Sequence, residues 1–169
     1  PEYERMVAAG AEGLVVYQET YQRAPYAALH TAGPKKDFDW RLACPERGYA
    51  GGFRRMGIGA LFGLAPWRDE ALALAAHLEW LQRHCWKASY TVAMPRMRPA
   101  AGGFVPEFGF TDAEFVQLIC AFRLFLPDAG LVLSTREPAK LRLVAASTSE
   151  RTRGRWRRHT SCAMAPPIE

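Results

Sequence analysis

Four short apolar runs recur along the chain, and each of them ends in polar or glycine-rich residues. The runs are rich in Val, Leu, Ile and Met, and they predict buried strands over 14–18, 56–62, 89–94 and 130–135. Because they are continuously apolar rather than strictly alternating, they favour a parallel sheet that is covered on both faces or closed into a barrel.

Helical patterns separate these runs. The longest covers 67–86, and a second covers 111–127, where Thr111 and Glu114 predict a capping box. A weaker pattern over 37–52 is interrupted by a proline. Strand and helix therefore alternate as in βαβ units, which predicts an α/β fold of four βα units. Four units are half of an eight-stranded TIM-type barrel, and a half barrel has two open sheet edges.

The helix predicted over 67–86 has the clearest apolar face. The residues predicted to face the sheet are Leu72, Ala75, Ala76 and Leu78. Its aromatic residues are predicted to pack between helix and sheet, and they are Trp67, Trp80 and Trp86. The histidines of this helix have no partners at zinc-ligand spacing, so structural or surface roles are expected for them.

Composition narrows the class of protein. A chain of 169 residues that is 49% hydrophobic can bury one core. No apolar run approaches the ~20 residues of a membrane span, and the first residues lack the pattern of a secretion signal, so we predict a cytoplasmic protein without a membrane partner. The four cysteines lie far apart without a CxxC pair, which predicts reduced thiols and no metal site among them.

The net charge of +5 is concentrated at the C-terminus, since six arginines fall after residue 141. The preceding residues are close to neutral, which disfavours a nucleic-acid interface on the folded part. Residues 143–169 show no helical or strand period, and they are predicted to form a disordered basic tail after a barrel segment over 1–142. Two origins stay open for this tail, a natural disordered segment and a stretch read out of frame.

Polar groups at the strand exits are the candidates for chemistry, because barrel enzymes place working residues at the carboxyl ends of their strands. Gln18 and Glu19 follow the first strand and could bind ribose hydroxyls or an ammonium group, although an ordinary polar loop would look the same. Gly57, Gly59 and Gly63 accompany the second strand, where a missing Cβ lets backbone approach a ligand.

Arginines follow the third and fourth strands. Arg96 and Arg98 project to opposite sides of an extended segment, so at most one points into a barrel mouth, where it could bind a carboxylate. After the fourth strand, Arg136 and Glu137 could pair with each other or line the same cavity as Arg96, and Ser134 lies beside them.

Several segments, in this order and spacing, carry a resemblance to a known family. They are YQETY, GPKKDFDWRL, GIGALFGL, WLQRHCW, PRMRPAAGG, ICAFRLFLPD and LVLSTRE. Together they resemble the 2-iminoacetate synthases, the radical SAM tyrosine lyases of thiamine biosynthesis, over residues 1 to about 142. The resemblance implies strands four to seven of a (βα)8 barrel, including the region associated with biotin and thiamine synthesis.

The activity that this family implies is cleavage of the Cα–Cβ bond of L-tyrosine to 2-iminoacetate (dehydroglycine) and 4-cresol. Its cofactors are S-adenosyl-L-methionine and a 4Fe-4S cluster, and its partners are thiazole synthase and a flavodoxin-type or other reductant. The CxxxCxxC loop that binds the cluster in the family is absent from this sequence, so the chain alone is expected to be inactive.

Site residues follow from the same resemblance. Gln18 and Glu19 match positions near the methionine or ribose part of the cofactor, and Arg41 matches an arginine that binds its carboxylate. Gly59 and Gly63 match backbone that approaches the adenosine. The residues predicted to bind substrate are Tyr21, Arg96, Arg98, Ser134, Arg136 and Glu137, with Arg96 or Arg136 expected on the tyrosine carboxylate.

Two alternatives remain. The tyrosine lyase of hydrogenase maturation is a sister of the thiamine enzyme and shares much of the pattern. The other alternative is a non-catalytic basic fragment that binds nucleic acid through its arginine tail. This alternative predicts a salt-sensitive affinity for nucleic acid that disappears when residues 143–169 are deleted.

Overall fold

A computed structural model of the chain describes residues 1–97 and 106–150, with side chains described as far as residue 144. The strands are β1 (Gly13–Glu19), β2 (Arg55–Ala60), β3 (Ser89–Ala93) and β4 (Gly130–Val132). The helices are α1 (Glu2–Ala8), α2 (Arg23–Leu29), α3 (Phe38–Leu42), α4 (Cys44–Ala50), α5 (Trp67–His84), α6 (Asp112–Phe125) and α7 (Ala139–Glu150), with one turn of 3₁₀ helix over Pro34–Lys36. Each of the four predicted strands is present, although β4 is only three residues long.

The strands form one parallel sheet in the order β1-β2-β3-β4. Neighbours in the sheet are therefore neighbours in sequence, and the order never reverses as it does in an open doubly wound sheet. A parallel sheet in sequential order is the arrangement of a barrel segment. The predicted architecture of four βα units is confirmed.

The outer face of the sheet and two helices enclose the core. Met56 and Ile58 of β2 and Val92 of β3 are buried on this face. Leu74, Leu78 and Leu81 of α5 and Phe115, Leu118, Ile119 and Phe122 of α6 pack against them. Burying an aliphatic side chain stabilises the fold by about 1.5–3 kcal/mol, so this layer holds the strands in register.

The inner face of the sheet, defined here by Val15, Gly57, Thr91, Gly130 and Val132, is much less covered. The first four of these residues align across the four strands. Val15 is 62% exposed and Val132 is 43% exposed. Within the part of the chain that the structure describes, helices cover one face of the sheet and the other face is open, as expected for part of a barrel.

The predicted apolar face of α5 was only half correct. Leu72 is 72% exposed, and Ala76 is also exposed, whereas Ala71, Leu74 and Leu81 are buried. The segment ALALAA is apolar at nearly every position, so its period does not fix which side meets the sheet. Leu78 is buried and Ala75 packs against the core, so both were placed correctly.

The tryptophans of this region also differ from one another. Trp67 packs against the core and donates its Nε1 hydrogen to Glu114 at 2.9 Å. Trp80 and Trp86 are mostly exposed, which corrects the prediction that they pack between helix and sheet. Trp80 instead stacks on His84 and donates to Glu46.

Local signals set the helix ends. The predicted capping box of α6 is present, with the Thr111 hydroxyl accepting from the Glu114 amide and the Glu114 carboxylate accepting from the Thr111 amide. The weaker pattern over 37–52 forms two helices, because Pro45 lies in the first turn of α4, where a missing amide costs nothing.

Helix α7 crosses the boundary predicted after residue 142. It continues to Glu150, so the first residues of the predicted tail are helical rather than aperiodic. The remainder of that tail, 151–169, lies outside the described residues. Among the described helices, none is both long and apolar enough to cross a membrane.

Candidate cofactor site

The exit of β1 has an unusual backbone conformation. A bulge separates Tyr17 from Glu19, and Glu19 adopts a φ of 72°. This left-handed conformation is strained for a residue with a side chain. The Glu19 carbonyl accepts a hydrogen bond of 2.7 Å from the amide of Leu61, directly after β2. The strand end is therefore held by its neighbour in the sheet.

Two cations surround the Glu19 carboxylate. Arg41 Nη2 lies 3.4 Å from Glu19 Oε1, and Lys35 Nζ lies 3.3 Å from the same oxygen. Arg41 also donates its Nε hydrogen to the carbonyl of Tyr17 at 2.8 Å. Of the three side chains, only Lys35 is more than a third exposed. Glu19 and Arg41 were predicted as site residues, and the structure brings them together.

Gln18 is buried beside this pair and holds a helix rather than facing solvent. Its Nε2 donates to the carbonyl of Phe38 at 3.3 Å, and Phe38 is the first residue of α3. The Asp37 side chain caps the same helix by accepting from the Trp40 amide. Since α3 carries Arg41, Gln18 and Asp37 both help to position the guanidinium next to Glu19.

Glu70 was missed by the sequence analysis. It lies in the first turn of α5 and is fully buried, and it accepts hydrogen bonds from the Thr20 hydroxyl and, at 2.9 Å, from the Tyr21 amide. Burial raises the pKa of the Glu70 carboxyl, and the bonds from Thr20 and the amides of Tyr21 and Gln22 oppose that rise. In the sequence, an acidic residue in the first turn of a helix looks like an ordinary solvent-exposed residue. Only the contacts in the structure show that Glu70 holds the loop after β1.

The predicted glycines have structural explanations within this chain. A Cβ at Gly59 would lie 2.4 Å from the Ala93 carbonyl oxygen, so packing between β2 and β3 already requires glycine there. Gly63 has a φ of +120°, and a Cβ would lie 2.9 Å from the Cβ of Met97. Their predicted approach to adenosine stays a prediction.

Tyr21 is directed away from the Glu19 and Arg41 pair. Its hydroxyl lies 2.8 Å from His77 Nδ1 on α5, and its ring packs against the core. Burial, followed by the charge of Glu70, raises the pKa of the Tyr21 hydroxyl. The hydroxyl is thus bonded on the helix side of the sheet, and the substrate-binding role predicted for Tyr21 stays a prediction.

Arg96 and Glu137 form a buried ion pair. Arg96 Nε donates to Glu137 at 3.1 Å and Nη2 donates to the other carboxylate oxygen. Nη1 donates to the Phe110 carbonyl at 3.1 Å and lies 2.7 Å from Asp112. All three guanidinium nitrogens bind protein oxygens, so both residues link β3, α6 and the β4–α7 loop. Their predicted substrate contacts stay predictions.

The remaining predicted substrate residues lie after β4. Arg136 is exposed, and its amide donates to the Ser134 hydroxyl at 3.2 Å. The guanidinium of Arg136 is thus placed in solvent at the carboxyl edge of the sheet, where the candidate pair also lies. Arg98 falls outside the described residues.

The residues at the β1 exit suit the amino-acid end of a ligand. A carboxylate can accept from an ammonium group, and a guanidinium can donate two parallel hydrogen bonds to a carboxylate. S-adenosylmethionine presents both groups on its methionine part, so Glu19 and Arg41 fit it. An iron–sulfur cluster does not fit the described residues, since no three cysteine, histidine, aspartate or glutamate side chains converge among them.

Sequence comparisons show which proteins this chain is similar to. Residues 93–148 match the Biotin and Thiamin Synthesis associated domain. The 2-iminoacetate synthase of Escherichia coli (strain K12) is 47% identical over 137 residues, which is 80% of this chain and 36% of the relative. The 2-iminoacetate synthase of Salmonella typhimurium (strain LT2) is 46% identical over 136 residues, with the same coverage. The chain therefore spans about a third of the length of these curated relatives.

Solved structures of similar fold agree. HydG, a maturase of the FeFe-hydrogenase, superposes with a TM-score of 0.80 at 32% identity and covers 86% of this chain and 33% of its own. The FeFe-hydrogenase maturase HydG from Carboxydothermus hydrogenoformans gives a TM-score of 0.81 at 35% identity, covering 86% of this chain and 34% of its own. Both similarities confirm the predicted barrel-segment fold.

Proposed function

We propose, from the premise that this chain is homologous to one segment of 2-iminoacetate synthase, that it forms the middle strands of a radical SAM lyase that cleaves L-tyrosine. The products would be 2-iminoacetate and 4-cresol, with 5'-deoxyadenosine and methionine formed from the cofactor. The observation that carries the proposal is the Glu19 and Arg41 pair at the carboxyl edge of β1.

In this proposal the chain's own residues bind and orient S-adenosylmethionine. Arg41 would hold the carboxylate of its methionine part, and Glu19 would accept from its ammonium group. Gln18 would keep α3 in place, through its bond to Phe38. The cofactor, when bound and reduced, supplies a 5'-deoxyadenosyl radical, while the protein fixes its position relative to the substrate and excludes water.

Substrate contacts would come from the loop after β4. Arg136 is the exposed guanidinium of this loop, and Ser134 lies beside it. A guanidinium is suited to the carboxylate of tyrosine because it can donate two hydrogen bonds at once. Arg98 stays a second candidate for this role.

Sequence identity favours the thiamine enzyme over its hydrogenase-maturation sister. The two 2-iminoacetate synthases are 46% and 47% identical to this chain. The two HydG structures are 32% and 35% identical. We therefore infer that thiazole synthase consumes the product, that a flavodoxin-type protein or another reductant supplies the electron, and that the reaction takes place in the cytoplasm.

A segment exchange tests the proposal. The 137 matching residues of the Escherichia coli enzyme are replaced by those of this chain, and the hybrid is assayed anaerobically with tyrosine, cofactor and reductant. We expect 4-cresol and 5'-deoxyadenosine to appear together. Carbon monoxide or cyanide formation would favour the hydrogenase-maturation reaction, and the absence of both expected products from a folded, cluster-loaded hybrid would refute the lyase assignment.

The residue that carries the proposal is tested in the same hybrid. We expect Arg41→Met to raise the KM for S-adenosylmethionine by about tenfold or more, since a charge-assisted hydrogen bond contributes about 1.5–3 kcal/mol. Arg23→Met is the matched control, because Arg23 is the first residue of α2 and pairs with Asp39 at the surface. Equal effects of the two substitutions would contradict a cofactor contact by Arg41.

A further inference from the structure

The segment that follows Glu19 is held by a buried carboxylate from another βα unit. Glu70 and Thr20 are both fully buried, and the Thr20 hydroxyl donates to Glu70 Oε1. The Tyr21 amide lies 2.9 Å from Oε2 and 3.2 Å from Oε1 of the same carboxylate. The Gln22 amide in turn donates to the Thr20 hydroxyl at 3.0 Å. One side chain of α5 thus organises three consecutive residues after β1.

These bonds begin one residue after the strained backbone of Glu19. Among the described residues, Glu19 alone combines a side chain with a positive φ. Such a conformation costs roughly 1–3 kcal/mol and persists only where surrounding contacts hold it. On the strand side the Leu61 amide holds the Glu19 carbonyl, and on the loop side the first contacts are those of Thr20 and Tyr21 with Glu70.

The conformation of Glu19 also decides where its carboxylate points. With the present backbone, Oε1 lies within 3.4 Å of Arg41, whose Nε is fixed on the Tyr17 carbonyl. If Glu19 relaxed to an extended conformation, its side chain would leave this position while Arg41 would remain. The pairing therefore depends on the loop that Glu70 holds.

We propose that Glu70 is a positioning residue for the cofactor site: it fixes residues 20–22 and thereby holds Glu19 in the conformation that places its carboxylate beside Arg41. Glu70 itself touches neither the cofactor nor the substrate. The role in cofactor binding rests on the function proposed above, whereas the effect on Glu19 is a property of this chain alone.

Hydrogen exchange at one remote amide tests the structural part. The Leu61 amide donates to the Glu19 carbonyl and does not contact Glu70, so its exchange reports on Glu19. In the 169-residue chain, we expect Glu70→Gln to speed exchange of the Leu61 amide by about tenfold, because the carboxamide has only one acceptor oxygen and its NH2 group faces a donor, either the Thr20 hydroxyl or the Tyr21 amide. The matched control is Asp69→Asn, an exposed acid in the same helical turn, which should leave that rate within about twofold.

A second pair of variants covers the case in which Glu70→Gln does not fold. Thr20→Val removes the hydroxyl with little change of shape, and Thr20→Ser restores it. We expect faster exchange at Leu61 in the valine variant and recovery in the serine variant. Leu61 exchange that is unchanged by Glu70→Gln, or equal in both Thr20 variants, would overturn the positioning role.

The functional part is tested in the hybrid enzyme. Glu70→Gln should raise the KM for S-adenosylmethionine by about tenfold while kcat changes less than about twofold, because the contacting residues remain but lose their orientation. An unchanged KM together with faster Leu61 exchange would overturn the link to the cofactor. If the unsubstituted hybrid were inactive, the proposed function would fall, and the exchange data would still decide whether Glu70 positions Glu19.

Discussion

At the scale of single residues, His77 and Tyr21 form a buried polar contact between α5 and the loop after β1. Tyr21 OH lies 2.8 Å from His77 Nδ1, and the two rings pack edge to face. Burial lowers the pKa of His77 to about 4, although the charge of Glu46 opposes this shift. His77 is therefore neutral in the folded protein at neutral pH.

This neutral histidine predicts acid sensitivity. His77 has an ordinary pKa near 6.5 when unfolded and about 4 when folded, so between these values the unfolded state binds more protons. The free energy of unfolding should fall as the pH falls from 6.5 towards 4, by at most about 1.4 kcal/mol per pH unit from this residue. Urea denaturation across this pH range should show that the free energy of unfolding falls less in His77→Gln than in the unsubstituted chain.

The control for this measurement is His84→Gln, which replaces an exposed histidine on the same helix. It should keep the pH dependence of the unsubstituted chain. If His84→Gln and His77→Gln flattened the profile equally, burial of His77 would not be the cause.

Sequence reasoning predicted part of the candidate site at this scale. The position of Gln18 and Glu19 after an apolar strand predicts polar groups at the sheet edge, and the family resemblance added Arg41. It missed Glu70, because a pattern of residue types does not say which polar group finds a buried partner. The hydrogen bonds between Thr20 and Glu70 join positions that are 50 residues apart.

At the scale of helices and strands, the buried pair of Arg96 and Glu137 joins elements that are distant in sequence. Their side chains are only 5% and 2% exposed. The ring of Phe115 on α6 lies 4.8 Å from the guanidinium carbon. The hydrogen bond from Arg96 to Glu137 raises the pKa of the guanidinium further, so Arg96 stays charged.

Removing one partner of this pair should destabilise the chain strongly. We expect Arg96→Met to lower the free energy of unfolding by about 3–5 kcal/mol, because it leaves the Glu137 carboxylate buried without its cation. The double variant with Glu137→Leu should lose less than the single one. Urea unfolding of the three proteins provides the comparison.

Arg83→Met is the matched control, since its ion pair with Glu79 is exposed on α5. An exposed pair contributes about 0.2–1 kcal/mol at most, so little change is expected. A double variant less stable than Arg96→Met would contradict this explanation. It would show that the loss of the pair itself, rather than the charge left unpaired, causes most of the destabilisation.

Element prediction succeeded where local signals are strong. The strands follow from compact apolar runs, and α6 follows from its capping box. Leu72 and Ala76 were placed on the wrong side of α5. A stretch that is apolar at nearly every position has no polar residues to mark which side of the helix faces solvent. Helix α7 was missed because small and polar residues dominate its second half, so its contacts with α6 rather than its own pattern mark it as helical.

At the scale of the whole molecule, the inner face of the described sheet exposes apolar side chains. Val15 and Val132 are exposed there, and within the described residues β1 and β4 each pair with only one strand. Unpaired strand edges and exposed apolar faces promote association. The overall architecture was predictable because the spacing of its strands and helices allows few topologies, whereas the chain's behaviour depends on what covers this face.

We expect the chain to associate with increasing concentration, and the double substitution Val15→Lys and Val132→Lys to reduce this association. Sedimentation velocity over a range of concentrations measures it. Leu72→Lys is the control on the exposed side of α5, and it should leave association unchanged. A reversed result, in which only Leu72→Lys prevents association, would place the contact on the helices.

The buried hydrogen bond between Glu70 and Thr20 also bears on the order in which parts of the chain fold. It joins the first βα unit to the second, and Arg96 with Glu137 joins the third unit to the fourth across 41 residues. Contacts of such separation form late, because the intervening chain must first be ordered. Glu19 can therefore take up its final conformation only after β1 and β2 have paired and α5 has docked, so the cofactor edge should be among the last parts of the chain to mature during folding.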